Sequence, residues 1–284
     1  MSNLPRPLRT DELEQLLSDR DIAILESLER FRFLTTRQVQ RQHLPAEHLG
    51  PHRSQVGATR SAVRILHRLE AHGLVTRLAR RIGGAKHGSA VIVWQLGAAG
   101  DRLLRARRGE SQRRRYIEPG HAFLAHTLEV AELATTLLER SRIGEFDLLE
   151  LEAEPTCWRS FGGRGGTTVT LRPDLLVVTA DESTETHSFV EVDRATEHLP
   201  AVIRKCQTYQ RHWEDGHEEA TRGLYPAVVW IVPTELRADK LRHAIAQERT
   251  LRGDLFFVIT AREALQQLAP PSPPETETLK GGSS

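Results

Sequence analysis

Cysteine is almost missing from this chain. Its two copies, Cys157 and Cys206, lie far apart and form no metal or redox spacing. That scarcity argues against a disulfide-stapled exported scaffold, and both thiols are expected to be reduced, as in the cytoplasm. No apolar run approaches the ~20 residues that a membrane-spanning helix needs. The opening MSNLPRPLRTDELEQ has no hydrophobic leader, so a cytoplasmic location is expected. There is no Walker A sequence, no zinc-ligand spacing and no nucleophile elbow. Lysine is scarce too. It occurs only at Lys86, Lys205, Lys240 and Lys280, and arginine supplies the remaining fixed positive charge. A lysine that does occur is therefore worth tracing, Lys205 above all.

The chain has 284 residues, 39% of them hydrophobic and 27% charged, enough apolar material for one large or two ordinary domains. The net charge of +1 conceals an asymmetry. Between Arg60 and Arg115 stand thirteen arginines and Lys86, and acid appears only at Glu70, Asp101 and Glu110. From Glu145 to Glu197 the balance reverses. A basic first part joined to an acidic second part points to a polyanion-binding module attached to something else, with nucleic acid as the expected partner. A solvated basic face is the plainer alternative.

The first part reads as three helices and a hairpin. Ile22, Leu25, Leu28 and Phe31 recur at helical spacing behind Asp19 and Asp21, which can cap. A second helix starts at Leu34-Thr35-Thr36 with Val39 inward. A third begins near Thr59, buries Val63, Leu66 and Leu69, and ends at Gly73. Thr76 to Ile82 and Ala90 to Leu96 read as strands around the turn 83–88. Three helices followed by a basic hairpin define a winged helix-turn-helix over 1–108. On that pattern Arg60 and Arg64 reach duplex DNA from the third helix, and Arg77, Arg80, Arg81 and Lys86 reach it from the wing.

A charged linker over 109–118 follows, and then a domain over 119–269. It opens with an amphipathic helix from His121 to Arg140. His121 and His126 are five apart, the wrong spacing for a metal pair on one helix face, so they are read as structural or solvent-facing. Strands are expected at Phe146–Leu151, Thr167–Leu171, Asp174–Val178, Phe189–Asp193, Ala227–Val232 and Leu255–Ile259. Helices are expected at Leu199–Trp213, Leu236–Arg249 and Arg262–Leu268. This alternation predicts an α/β sandwich around a mixed sheet. The glycine run at 162–166 reads as a hairpin turn rather than a phosphate nest. The Pro- and Gly-rich tail over 270–284 is expected to be disordered.

Asp174 opens one apolar run, and Glu191 and Asp193 close the next, two apart and so on one face of a strand. Carboxylates gathered at strand ends repel one another unless a cation neutralises them. One reading is a divalent-metal site that holds Mg²⁺ against a phosphate. The other is ordinary polar strand ends.

The segments RPDLLV, FVEVDRATE and KCQTY, together with the helix-and-hairpin region before them, resemble the bacterial replication-relaxation family of plasmid- and integrative-element-associated proteins, over roughly Asp19 to Trp213. The second domain is similar to the PD-(D/E)XK nuclease fold, which makes the implied fold class α+β or α/β, a winged helix-turn-helix followed by a restriction-endonuclease-like domain. The resemblance implies a DNA-binding protein of a mobile element, acting in replication or relaxation. Its partners would be double-stranded DNA and replication or transfer proteins of the element, with a homodimer as one assembly open to it.

Asp174 matches that fold's metal-binding Asp, and Glu191 matches its second acid. Asp193 stands where the catalytic lysine belongs, and Arg194 cannot act as a base. Lys205 is the implied replacement. The implied upstream metal ligand is Glu152, ahead of Glu129 and Glu132. The catalytic set is then Asp174, Glu191, Asp193 and Lys205, with Mg²⁺ or Mn²⁺. Two functional classes remain open: a metal-dependent endonuclease or nickase, and an inactive nuclease fold that serves as a DNA- and partner-binding platform or transcriptional regulator.

Overall fold

A computed structural model of the chain describes residues 9–47, 50–78, 91–110 and 119–270. It divides into two units, each with helices and a sheet. Most of the anticipated wing, residues 111–118 of the linker expected over 109–118, and residues 271–284 of the tail expected over 270–284 lie outside the described residues.

The first unit holds Met1–Glu145 with the short returns Glu152–Trp158 and Arg172–Leu175. After α1 (Thr10–Leu16) comes α2 (Asp19–Phe31), whose inward face is Ile22, Leu25, Leu28 and Phe31, as the spacing predicts. Its cap is Ser18 rather than an aspartate. The Ser18 hydroxyl accepts from the Asp21 amide, and the Asp21 carboxylate accepts from the Ser18 amide. A short strand β1 (Phe33–Thr35) leads into α3 (Thr36–His43), capped by Thr35.

Helix α4 (Gln55–Ala71) starts four residues before the expected Thr59, at a Ser54 cap. Its buried side is Ala58, Ala62, Leu66 and Leu69, with Val63 half-buried. It ends as the glycine predicts. Gly73, at φ +68°, donates to the Glu70 carbonyl at 2.9 Å, and Leu74 donates to the Leu69 carbonyl at 3.0 Å. Strands β2 (Val75–Arg77) and β3 (Val93–Leu96) complete an antiparallel sheet in the order β1-β3-β2. Strand β1 was not expected: three residues between two helices carry no period.

Two further helices close this unit, α5 (Ala98–Arg108) and α6 (His121–Arg142). Helix α6 groups with the first unit, although it was assigned to the second domain. Leu124 and Leu128 pack on Phe33 and Val93. Helix α3 is tied to α6 by polar contacts: Gln38 donates to the Leu128 carbonyl and to Glu132, Gln42 donates to Thr135, and Arg41 pairs with Glu132 and Glu139. Buried glutamines are tolerated only with such partners.

The second unit holds Phe146–Leu151, Arg159–Leu171 and Leu176–Ser284. Strands β4 (Asp147–Ala153), β7 (Leu175–Ala180), β8 (Glu185–Val192), β9 (Ala227–Val232) and β10 (Phe256–Thr260) form a five-stranded sheet in the order β10-β9-β8-β7-β4. β8, β9 and β10 run parallel, with Glu191 opposite Trp230. A turn at 181–184 connects β7 to its neighbour β8, a link too short for a parallel crossover, so the sheet is mixed. Strands β5 (Arg159–Gly162) and β6 (Thr168–Leu171) make a separate antiparallel ribbon whose turn is the glycine run. Helices α7 (Leu199–Asp215), α8 (His217–Arg222), α9 (Glu235–Gln247) and α10 (Ala264–Leu268) complete the unit.

The close approach of α5 to the turn after α4 yields a test. A Cβ on Gly100 would lie 2.3 Å from the Leu74 carbonyl oxygen, a backbone atom that cannot turn aside. Gly100→Ala is expected to destabilise the protein by about 1–3 kcal/mol, the usual cost of overpacking, read as a lower urea midpoint. An unchanged midpoint would show that the turn gives way freely.

Candidate functional site

Glu191 lies near the end of β8, a strand paired on both sides, and is 1% exposed. Helix α7 returns after the strand with Lys205 and Tyr209 one turn apart, so both side chains fall on one face. The Lys205 ammonium donates to Glu191 Oε2, and the Tyr209 hydroxyl donates to Oε1 at 2.5 Å. Lys205 also lies over the Trp230 ring, 5.9 Å from its centre, on β9. Cys206, on the same helix, is buried, and burial together with the Glu191 charge pushes its thiol up to about 12. It supplies no thiolate at neutral pH.

Asp193 takes different partners. Its Oδ2 accepts from Arg237 of α9 at 2.5 Å, and its Oδ1 accepts from the Ala195 amide at 2.9 Å. Arg237 also donates to the Glu197 carbonyl at 2.8 Å, so one arginine clamps both sides of the turn between β8 and α7. Ala195 sits in that turn at φ +57°, a conformation that costs a non-glycine residue free energy and needs such anchoring.

In this unit, then, each oxygen of Glu191 and each oxygen of Asp193 already accepts from a donor. A hard dication such as Mg²⁺ would compete with these donors for the same oxygens. The sequence singled out Lys205 through the rarity of lysine. It offered no signal for Arg237, an arginine among many and 44 residues from its partner.

In the first unit Asp174 is buried, and His126 Nε2 of α6 lies 3.1 Å from its Oδ1. His126, read as structural or solvent-facing, is half-buried against a carboxylate. Glu154 brings a third ligand atom, and the three lie within 4.8 Å of one another. Glu152, favoured as the upstream acid, is not in this group. Glu132 is held by Gln38 and Arg41 of α3, and Glu129 is exposed.

The basic stretch is far less free than its composition implies. Arg68 pairs with Asp21 at 2.5 Å, and Arg77 pairs with Glu70 while lying over the Trp94 ring. Arg105 pairs with Asp101, Arg107 with Glu14, and Arg108 with Glu29 and Glu110. Arg60 and Arg64 of α4 remain exposed, and among the described residues neither makes an ion pair with a carboxylate. They border an open groove of about 680 Å³ that also includes His52, Thr59 and Ser61. Arg80, Arg81 and Lys86 lie outside the described residues.

The sequence model of the replication-relaxation family matches residues 25–228, well over half of the chain. The chain belongs to that family. No curated protein and no solved structure matches it. Among the described residues no helix is long and apolar enough to cross a membrane.

The Glu191 cluster makes a measurable prediction. Lys205→Met leaves a buried carboxylate without its cation and is expected to cost about 1–3 kcal/mol, below the full buried-pair range because the ammonium is partly exposed. Tyr209→Phe removes a bond to a charged group and is expected to cost about 1–2 kcal/mol. Urea unfolding checks both. Wild-type midpoints in both variants would mean that the cluster does not hold α7 to the sheet.

Proposed function

We propose that the protein binds duplex DNA during replication or relaxation of a plasmid or integrative element, and that its second unit is a binding platform rather than a nuclease. The observation that carries the DNA reading is Arg60 and Arg64, two exposed guanidiniums one helical turn apart and beside an open groove. Where most neighbouring arginines are neutralised within the fold, these two are available to phosphates. In the winged-helix reading α4 is the recognition helix, and Arg77, committed to Glu70, contributes less than its position implies. The platform reading draws its support from Glu191 and Asp193, whose oxygens are occupied by Lys205, Tyr209, Arg237 and a backbone amide.

A Mg²⁺- or Mn²⁺-dependent nickase is the competing activity. It would require Asp174 and Glu191 to share a cation, and Lys205 to release Glu191 and turn to water. Supercoiled plasmid incubated with either metal discriminates between the two. The platform reading expects the plasmid to stay supercoiled. Nicking by the wild type that Asp174→Ala abolishes would replace it with the nuclease reading.

The DNA reading is tested by reversing charge at both positions. Arg60→Glu with Arg64→Glu is expected to abolish a gel shift seen at low salt. Replacing both by alanine should lower the slope of log affinity against log salt by about two, one counterion for each lost phosphate contact. A shift as strong as wild type in the charge-reversed protein would remove α4 from the interface.

A further inference from the structure

The group around Asp174 shares no residue with the contacts described for Glu191, and the proposed DNA-binding role does not use it. His126 comes from α6, Glu154 from the segment just after β4, and Asp174 from the residue just before β7. Within the first unit they border a small cavity of about 20 Å³, together with Phe31, Arg32 and Phe123. That volume suits a single water or a single ion. The His126 Nε2 to Asp174 Oδ1 separation of 3.1 Å matches two adjacent ligands of one metal, since bonds of about 2.1 Å at right angles put ligand atoms roughly 3 Å apart.

We propose that His126, Glu154 and Asp174 bind a first-row transition dication, of the Zn²⁺ or Mn²⁺ kind. The donor chemistry selects the class. One imidazole nitrogen with two carboxylate oxygens is a mixed set, suited to borderline metals. Mg²⁺ prefers oxygen ligands and keeps its waters, so it gains little from the histidine. Three protein ligands leave coordination positions open to water or to an anion.

Among the described residues, Arg32 is a built-in competitor. Its guanidinium lies 3.5 Å from Glu154 and over the Phe123 ring, 5.6 Å from its centre. At 3.5 Å this is a loose ion pair rather than a hydrogen bond. The arginine is partly exposed and free to leave for solvent as a dication arrives. Arg32 thus lowers metal affinity by offering Glu154 a rival partner, and its removal should raise that affinity.

Calorimetric titration of the full chain with Zn²⁺, Mn²⁺ and Mg²⁺ tests the proposal, with the absorption spectrum of added Co²⁺ as a second readout. Wild type is expected to take up one Zn²⁺ or Mn²⁺ far more tightly than Mg²⁺, and to give a Co²⁺ spectrum that Zn²⁺ bleaches. His126→Ala and Glu154→Gln should each weaken uptake at least tenfold. His121→Ala, an exposed histidine on the same helix, should change nothing, and Arg32→Ala should tighten binding. Glu154→Gln is nearly isosteric and keeps the test valid if His126→Ala does not fold. The proposal is overturned by an absence of one-to-one uptake, by equal affinity for Mg²⁺, or by binding that survives both ligand substitutions. DNA binding is not measured, so the outcome is independent of the reading of Arg60 and Arg64.

Discussion

A buried carboxylate must be neutralised, and in the second unit that requirement sets the arrangement of the elements. Glu191 lies on a strand flanked on both sides, where a bare charge would cost several kcal/mol. Lys205 and Tyr209 satisfy it from α7, which fixes the rotation of that helix to within the reach of a side chain. The turn that delivers α7 is in turn held by Arg237 on Asp193 and on the Glu197 carbonyl. Strand, turn and two helices are therefore coupled through two acids two residues apart.

The same economy governs the first unit. Its arginines mostly face acids of their own fold, and α3 is polar on the side where it meets α6. Among the described residues of the basic stretch, Arg68, Arg77, Arg105, Arg107 and Arg108 pair with acids of their own unit. A narrow set of phosphate contacts positions a protein on a duplex, whereas base contacts specify the sequence read.

Much of the secondary structure could be read from the sequence, and the reasons are local. Ala227–Val232 is an unbroken apolar run between turn residues, and it is a strand over just those residues. Gly73 announced the end of α4 because only a left-handed residue closes that turn cheaply. The start of α4 was hidden by Gly57 in its first turn. The allegiance of α6 was hidden for a different reason: an amphipathic pattern reveals that a face is buried but not what covers it. The candidate site divides in the same way. Glu191, Asp193 and Lys205 sit close together in the chain and could be found by eye. His126 and Arg237 act on acids 48 and 44 residues away, and no spacing rule joins them.

The polar seam between α3 and α6 bears on how such a protein could be inherited in pieces. A fragment cut at the end of α5 would leave Gln38, Arg41 and Gln42 without the partners that make their burial tolerable. It would also bare the apolar face that Leu124 and Leu128 cover. The first unit can be exchanged intact only if α6 travels with it. The unit of exchange is then set by a row of hydrogen bonds, not by the charged linker that precedes the helix in the sequence.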